Sequence, residues 1–417
     1  MSIFNKFKPI SISLSPNVEY DDVILALKLI FMPWKWKSGL AVNKEFEDRF
    51  KNYLGVKYAF SFNSGRSSLF AILKSLDLRK KDEVLLQAFT CNAVPNPILW
   101  AGLNPIYVDC NKDNFNIDIH DLKKKINSKT KALIVQHTFG LPSNIEEIIF
   151  IVRQNNLILI EDCAHALGAE YNSKKVGTFG DVAFFSFSRD KVISSVYGGI
   201  AVTDNPLLAE KIKEAQSRFS MPSMFWVFQQ ILHPVILYFF ILPIYYFLDL
   251  GKIFLFFSQW THILSKAVSY REKRGLKPNY FPHAMPNALA MMAQNQFLKL
   301  EKFNNHRKKI AEFYFKELEN TKFILPKNEG IFLRFPVKHS DAHKIIYEAW
   351  YKENILIGDW YTSPIAPDDT KIEEMKYKTG MCPNAEELSK ITLNLPTHIN
   401  ISMEDARRIV NFLSKWT

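Results

Sequence analysis

The stretch NLILIEDCAHALGAEYNSKKVGTFGDVAFFSFSRDKVISSVYGGIAVTD, residues 156–204, decides the fold. It contains three short apolar runs: NLILIEDC (156–163), DVAFFSFS (181–188) and GGIAVTD (198–204). Apolar runs of this length, continuous rather than alternating, mark strands covered on both faces, hence a mainly parallel sheet. Upstream, EVLLQAF (83–89), NPIYVD (104–109) and KALIVQHT (131–138) repeat the pattern with helix-like segments between them. The region from about residue 56 to 203 therefore reads as an α/β domain. In such sheets ligands sit beyond the carboxyl ends of the strands, which makes Thr90, His137, Asp162 and Ser186 the first candidates for chemistry.

Four pieces of sequence carry the chemical reading. Asn63-Ser64-Gly65-Arg66-Ser67-Ser68 leads into an apolar helix; backbone N–H groups at a helix start, a glycine permitting close approach, and added Ser and Arg donors form an anion site. An ordinary N-cap explains the same residues. Asp162, at the end of a buried strand, can pair with a protonated ring nitrogen, and His165 follows it; a loop acid and a satisfied polar neighbour are the plainer readings. Lys191, between the strand ending at Ser186–Ser188 and the Gly198–Gly199 pair, is a nucleophile for a carbonyl if burial deprotonates it. Phe89, before Thr90 and Cys91, offers a ring to stack on a planar cofactor or simply a core side chain.

Together these motifs resemble the DegT/DnrJ/EryC1/StrS aminotransferase family: SGRSSL, FTCNAVPNPI, PIYVDCNKDNFNID, QHTFGLPSNIEEI, EDCAHALGAEYNSKKVGTFGDVAFFSF and a downstream lysine, with FEDRFKNYLGVKYAF before and CPNAEELSKITLNLPTHINIS after. The resemblance implies an α/β transferase of the pyridoxal-phosphate fold type I, a homodimer with active sites at the interface, and transfer of an amino group, commonly from glutamate, to a keto sugar nucleotide. It implies that Lys191 is the Schiff-base lysine, that Asp162 partners the pyridine nitrogen, and that Ser64, Gly65, Arg66 and Ser186 form the phosphate site. It places His165 against the cofactor ring and its phenolic oxygen. A metal is not called for. Three departures stand out: Arg66 replaces the usual Thr, Cys91 replaces an aromatic, so that stacking falls to Phe89, and the usual Gly-Tyr-Asn-x-Arg segment is missing, with Asn279 and His283 its nearest substitutes. Family relatives that dehydrate sugars carry His in place of the lysine, which Lys191 argues against; intact Lys191 and Asp162 likewise oppose a catalytically silent membrane-associated scaffold.

The expected division is a large cofactor-binding domain over residues 1–300 and a smaller α+β domain over 301–417, the latter opened by the charged helix LEKFNNHRKKIAEFYFKEL and closed by a helix capped at Ser402. The large domain carries an apolar helical insertion, 219–265, with no charged residue from Phe219 to Leu248. That run is long enough to span a bilayer. A single crossing is excluded, because the lysine precedes it and the small domain follows it. Pro234 and Pro243 break it, so it is expected to lie along or dip into one leaflet, with Trp226, Trp260 and Lys266, Arg271, Lys273 and Arg274 at the interface, or else to pack on protein. Among 417 residues the formal charge is +11, which favours phosphate-bearing partners, but the basic residues are dispersed and no nucleic-acid motif occurs. Four cysteines without paired spacing, and an N-terminus without a signal-type apolar core, lead to the expectation of a cytoplasmic protein, possibly peripheral on the cytoplasmic membrane face.

Overall fold

The computed structural model describes residues 8–37, 40–327 and 329–417. Its centre is a seven-stranded sheet of β1 (Tyr58–Phe62), β2 (Glu83–Gln87), β3 (Asn104–Val108), β4 (Thr130–Gln136), β5 (Ile158–Asp162), β6 (Val182–Ser186) and β7 (Gly199–Thr203). The spatial order is β1-β7-β6-β5-β4-β2-β3. From β6 to β3 the neighbours run parallel, while β7 is antiparallel to both β6 and β1. The six apolar runs thus all become strands, as their two-sided burial requires: Leu85, Leu133 and Leu159 face one core while Leu86, Ile134 and Ile160 face another.

Helices cover both faces. Helix α1 (Tyr20–Ile30) and helix α2 (Leu40–Leu54) precede the sheet, and α3 (Gly65–Ser75) follows β1 directly. Phe46 and Phe50 of α2 meet Phe185 and Phe187 edge-on at 5.0–5.8 Å, the geometry aromatic quadrupoles favour. Each is fully buried and contributes on the order of 2–3 kcal/mol. These contacts fix the path of the chain immediately before Lys191.

Beyond the sheet, the charged helix runs over Leu300–Leu318, and β8 (Arg334–Lys338) pairs antiparallel with β9 (Thr392–Pro396). The last helix, Met403–Leu413, starts at Ser402, whose hydroxyl accepts from Asp405 N–H while Asp405 accepts in return, the cap read from sequence. Two short parallel pairings tie this part to the rest: Ile10–Ser11 with Ile355–Leu356, and Thr90–Cys91 with Ile365–Ala366. The second draws the 359–368 loop over the carboxyl ends of the strands.

The insertion is a broken helical hairpin. Helix α4 (Met224–Ile236) contains Pro234, continues as a π-type turn over Leu237–Ile241 and a 3-10 turn over Leu242–Ile244, then reverses into α5 (Leu250–Trp260). Proline removes a backbone donor and crowds the preceding turn, so irregular turns after Pro234 and at Pro243 are its direct result. One face of α4, with Trp226, Val227, Ile231 and Val235, is buried in the core it shares with Val23 and Ala26 of α1.

Candidate active site

At the carboxyl ends of β1, β5 and β6 a cavity is lined by Ser64, Gly65, Arg66, Asp162, His165, Ser186 and Lys191. Of the eight site residues expected from the resemblance, seven therefore meet at one place. Phe89 does not line it. Its backbone turns into the left-handed region, φ 63°, and sends the ring into the core against Phe115 and Phe139, edge-on to Tyr361. His137 also points away: its Nε2 lies 3.2 Å from Glu161 Oε2 and its Nδ1 accepts from Ser143 N–H. Glu161 additionally accepts from Gly177, Phe179 and Gly180 N–H; burial alone would raise its pKa, but these donors and His137 hold it below the usual carboxylate value. The pair anchors the 177–180 loop beneath Asp162.

The anion cradle is built by close approach. Ser64 caps α3, its hydroxyl accepting from Ser67 N–H, so the N–H groups of Gly65 and Arg66 at the first helical positions have no acceptor within the helix. Gly65 packs on Ser186, where a Cβ would lie 2.9 Å from the serine's own Cβ, and a Cβ on Gly199 would lie 2.4 Å from Gly65 N and Ser64 C. Those are backbone atoms that cannot swing aside. Gly199→Ala is therefore expected to cost about 1–3 kcal/mol, read as a lowered urea midpoint at unchanged m-value.

Arg66 behaves differently from its sequence reading. Its guanidinium pairs with the fully buried Glu272 and donates to Ala267 O at 2.9 Å, so what it leaves for an anion is its backbone N–H. The cationic donor lining the cavity is instead Arg189, whose Nε is buried with no partner among the described residues. Asn279 and His283 lie outside the cavity lining. The 279–283 turn braces Asn63: His283 N–H donates to Asn63 Oδ1 at 3.2 Å, and Asn63 N–H donates to His283 O at 3.1 Å.

Three of the cavity residues have shifted pKa values. Burial raises the Asp162 carboxyl to about 6, opposed by the Ala164 N–H and the charge of Lys191. Burial lowers Lys191, with Arg334 adding to the effect and Asp190 and Asp162 opposing it. His165 is driven well below its ordinary value, first by burial and then by the Lys191 and Arg334 charges, so it is neutral; its Nδ1 accepts from Phe139 N–H.

Several parts of the site were invisible in the sequence motifs. Trp360 stacks on His165 at 5.1 Å, with Lys191 Nζ 4.5 Å and the Arg334 guanidinium carbon 3.3 Å from its ring centre. The loop carrying Lys191 is held from below: Asn17 Nδ2 donates to the Lys191 and Val192 carbonyls, and the fully buried Arg307 donates to Val192 O and Asn17 Oδ1 at 2.8 Å. At the ends of β2 and β4, Thr90 donates to Gln136 Oε1 at 2.6 Å and Gln136 to Thr138 Oγ1 at 2.9 Å, fixing the cavity's far wall.

Known proteins resemble this chain in sequence and fold. The chain is 30% identical over 398 residues to the uncharacterized protein MJ1066 of Methanocaldococcus jannaschii, covering 89% of each. It is 36% identical over 178 residues to the GDP-perosamine synthase of Escherichia coli O157:H7, which covers 43% of this chain and 49% of that one. Among solved structures, PseC of Helicobacter pylori, an aminotransferase involved in the biosynthesis of pseudoaminic acid, superposes with a TM-score of 0.75 at 22% identity over 98% of this chain and 99% of the other, so the expected transferase fold is the one observed. The family model described as the DegT/DnrJ/EryC1/StrS aminotransferase family matches residues 29–227 and 269–414, and the chain belongs to that family.

Proposed function

We propose that this aminotransferase uses pyridoxal phosphate to move an amino group from glutamate to a keto sugar carried on a nucleotide or a lipid, working as a homodimer in the making of amino sugars for a surface glycan. The observation that carries the reading is the convergence of Lys191 and Asp162 on one cavity beside a helix start kept open by Gly65 and Gly199. The residues fit the cofactor: the α3 N–H groups and the unpartnered Arg189 Nε suit a phosphate, and Asp162 suits a ring nitrogen. The relative named as making a GDP-linked amino sugar supports a nucleotide carrier.

When bound, the cofactor supplies an aldehyde for the amine of Lys191 and a ring that takes up electron density. The protein's own part is positional and acid–base. Lys191, its pKa lowered by burial, would take a proton from the carbon bearing the donor nitrogen and return one to the acceptor side. Asp162, a buried carboxylate, would hold a proton on the ring nitrogen by an ion pair. Neutral His165, which lines the cavity, would add no competing positive charge beside the ring.

The test is a panel of GDP-, UDP- and polyprenyl-diphosphate-linked keto sugars with glutamate. The expected result is stoichiometric 2-oxoglutarate and a product in which the keto oxygen has become an amine. Loss of water from the sugar without 2-oxoglutarate would reject the reading in favour of dehydration.

A further inference from the structure

Helix α5 exposes most of its large side chains. Its fully buried positions are Gly251 and Ser258, with Phe254 and Leu255 half-buried against the cluster of Leu237, Ile241 and Tyr245, whereas Ile253, Phe256, Phe257 and Trp260 are 59%, 73%, 50% and 68% exposed. Gly251 is required there, since a Cβ would lie 2.4 Å from Tyr245 Cα and 2.5 Å from Ile241 O, and Ser258 donates to Phe254 O rather than to water. A helix folded against water places its large rings inward and its small polar residues outward. The turns before α5 extend the same character with Phe240 at 55% and Leu248 at 78% exposed.

The surroundings of this surface specify what covers it. Between Phe219 and Gly275 the bases are Lys252, Lys266, Arg271, Lys273 and Arg274, and the acids are Asp249 and Glu272. Glu272 is buried on Arg66 and Asp249 pairs with Lys252 at 2.8 Å, while Lys266 and Arg271 stand exposed. The patch is thus apolar and aromatic, and the exposed bases Lys266 and Arg271 follow it in the chain, while Lys273 pairs with Asp369; the combination suits lipid tails beneath anionic head groups. The family model matches no part of residues 228–268.

Crossing the bilayer is ruled out by the fold. Met224–Ile244 has the length and a mean hydropathy of 1.8 for a span, yet half of it is buried inside the protein. Lys191 upstream and Trp360 downstream also meet across the same cavity, so the chain returns to the side it left. We infer that α5 and the turn before it form a monotopic docking surface that seats this enzyme on an anionic membrane, its rings at the depth of the acyl boundary.

Flotation of the purified full-length protein tests this, with vesicles of phosphatidylglycerol and phosphatidylcholine against vesicles of phosphatidylcholine alone. The wild type is expected to float with the anionic vesicles, less so as salt rises, and Phe256→Ser/Phe257→Ser/Trp260→Ser to lower its partition roughly a hundredfold while keeping aminotransferase activity. Should that variant not fold, quenching of wild-type fluorescence by brominated lipid, lost in Trp260→Phe, gives the same answer. Wild-type protein remaining with the soluble fraction in both lipids overturns the inference. So does a dimer that the triple substitution dissociates in sedimentation, which would assign the face to a second copy of the chain.

Discussion

Lys191→Ala is expected to lower kcat/KM by about 10⁴-fold or more, because one amine both holds the cofactor and moves the proton, and the substitution removes both roles. The purified variant should also lose the visible absorbance that a lysine-bound aldehyde cofactor confers. Its fold should persist, because the loop is fixed by Asn17 and Arg307 through the carbonyls of residues 191 and 192 rather than through the lysine side chain. A small primary amine added to the variant should restore part of the rate by entering the space the side chain vacates. Retention of both colour and turnover in Lys191→Ala would reject the assignment.

Asp162→Asn should divide stability from function. The amide matches the carboxylate in shape but cannot hold a proton on a ring nitrogen, so turnover is expected to fall about 10³-fold. In the cofactor-free protein the effect on stability has the opposite sign. Burial raises the folded carboxyl to about 6 from 3.8 when free, so the folded state binds the extra proton between those values. Stability therefore falls as pH rises from about 4 to about 6, and above that the cost of keeping the charge buried is complete, at most about 3 kcal/mol. Asp162→Asn removes that cost: the apo variant should unfold at higher urea than the wild type at pH 7, with the difference closing near pH 4. Equal midpoints at both pH values would show that Asp162 carries no buried charge.

Six of the seven strands were legible as continuous apolar runs, the exception being Tyr58–Phe62; Asp162 and Lys191 stood out because each follows such a run, and Ser64 and Gly65 because they open an apolar helix. The Phe89 side chain was not, since an aromatic after a strand has no sequence sign of which way a left-handed turn will send it. The Arg66 guanidinium was misread for a different reason: its acceptor, Glu272, lies 206 residues away, beyond the insertion. Asn17 and Arg307 were missed because each is a lone polar residue in its segment, meaningful only when their 290-residue separation closes. Trp360 reaches the site through the pairing of Thr90–Cys91 with Ile365–Ala366, a two-residue contact that no periodicity announces.

The pairing of Ile10–Ser11 with Ile355–Leu356, together with Asn17 beneath Lys191, sets a timetable for synthesis on the ribosome. Residues 10 and 11 cannot pair until residues 355 and 356 have been made, and the Arg307 hydrogen bond to Val192 O also arrives long after β6, so the nascent sheet waits with its lysine loop incompletely held.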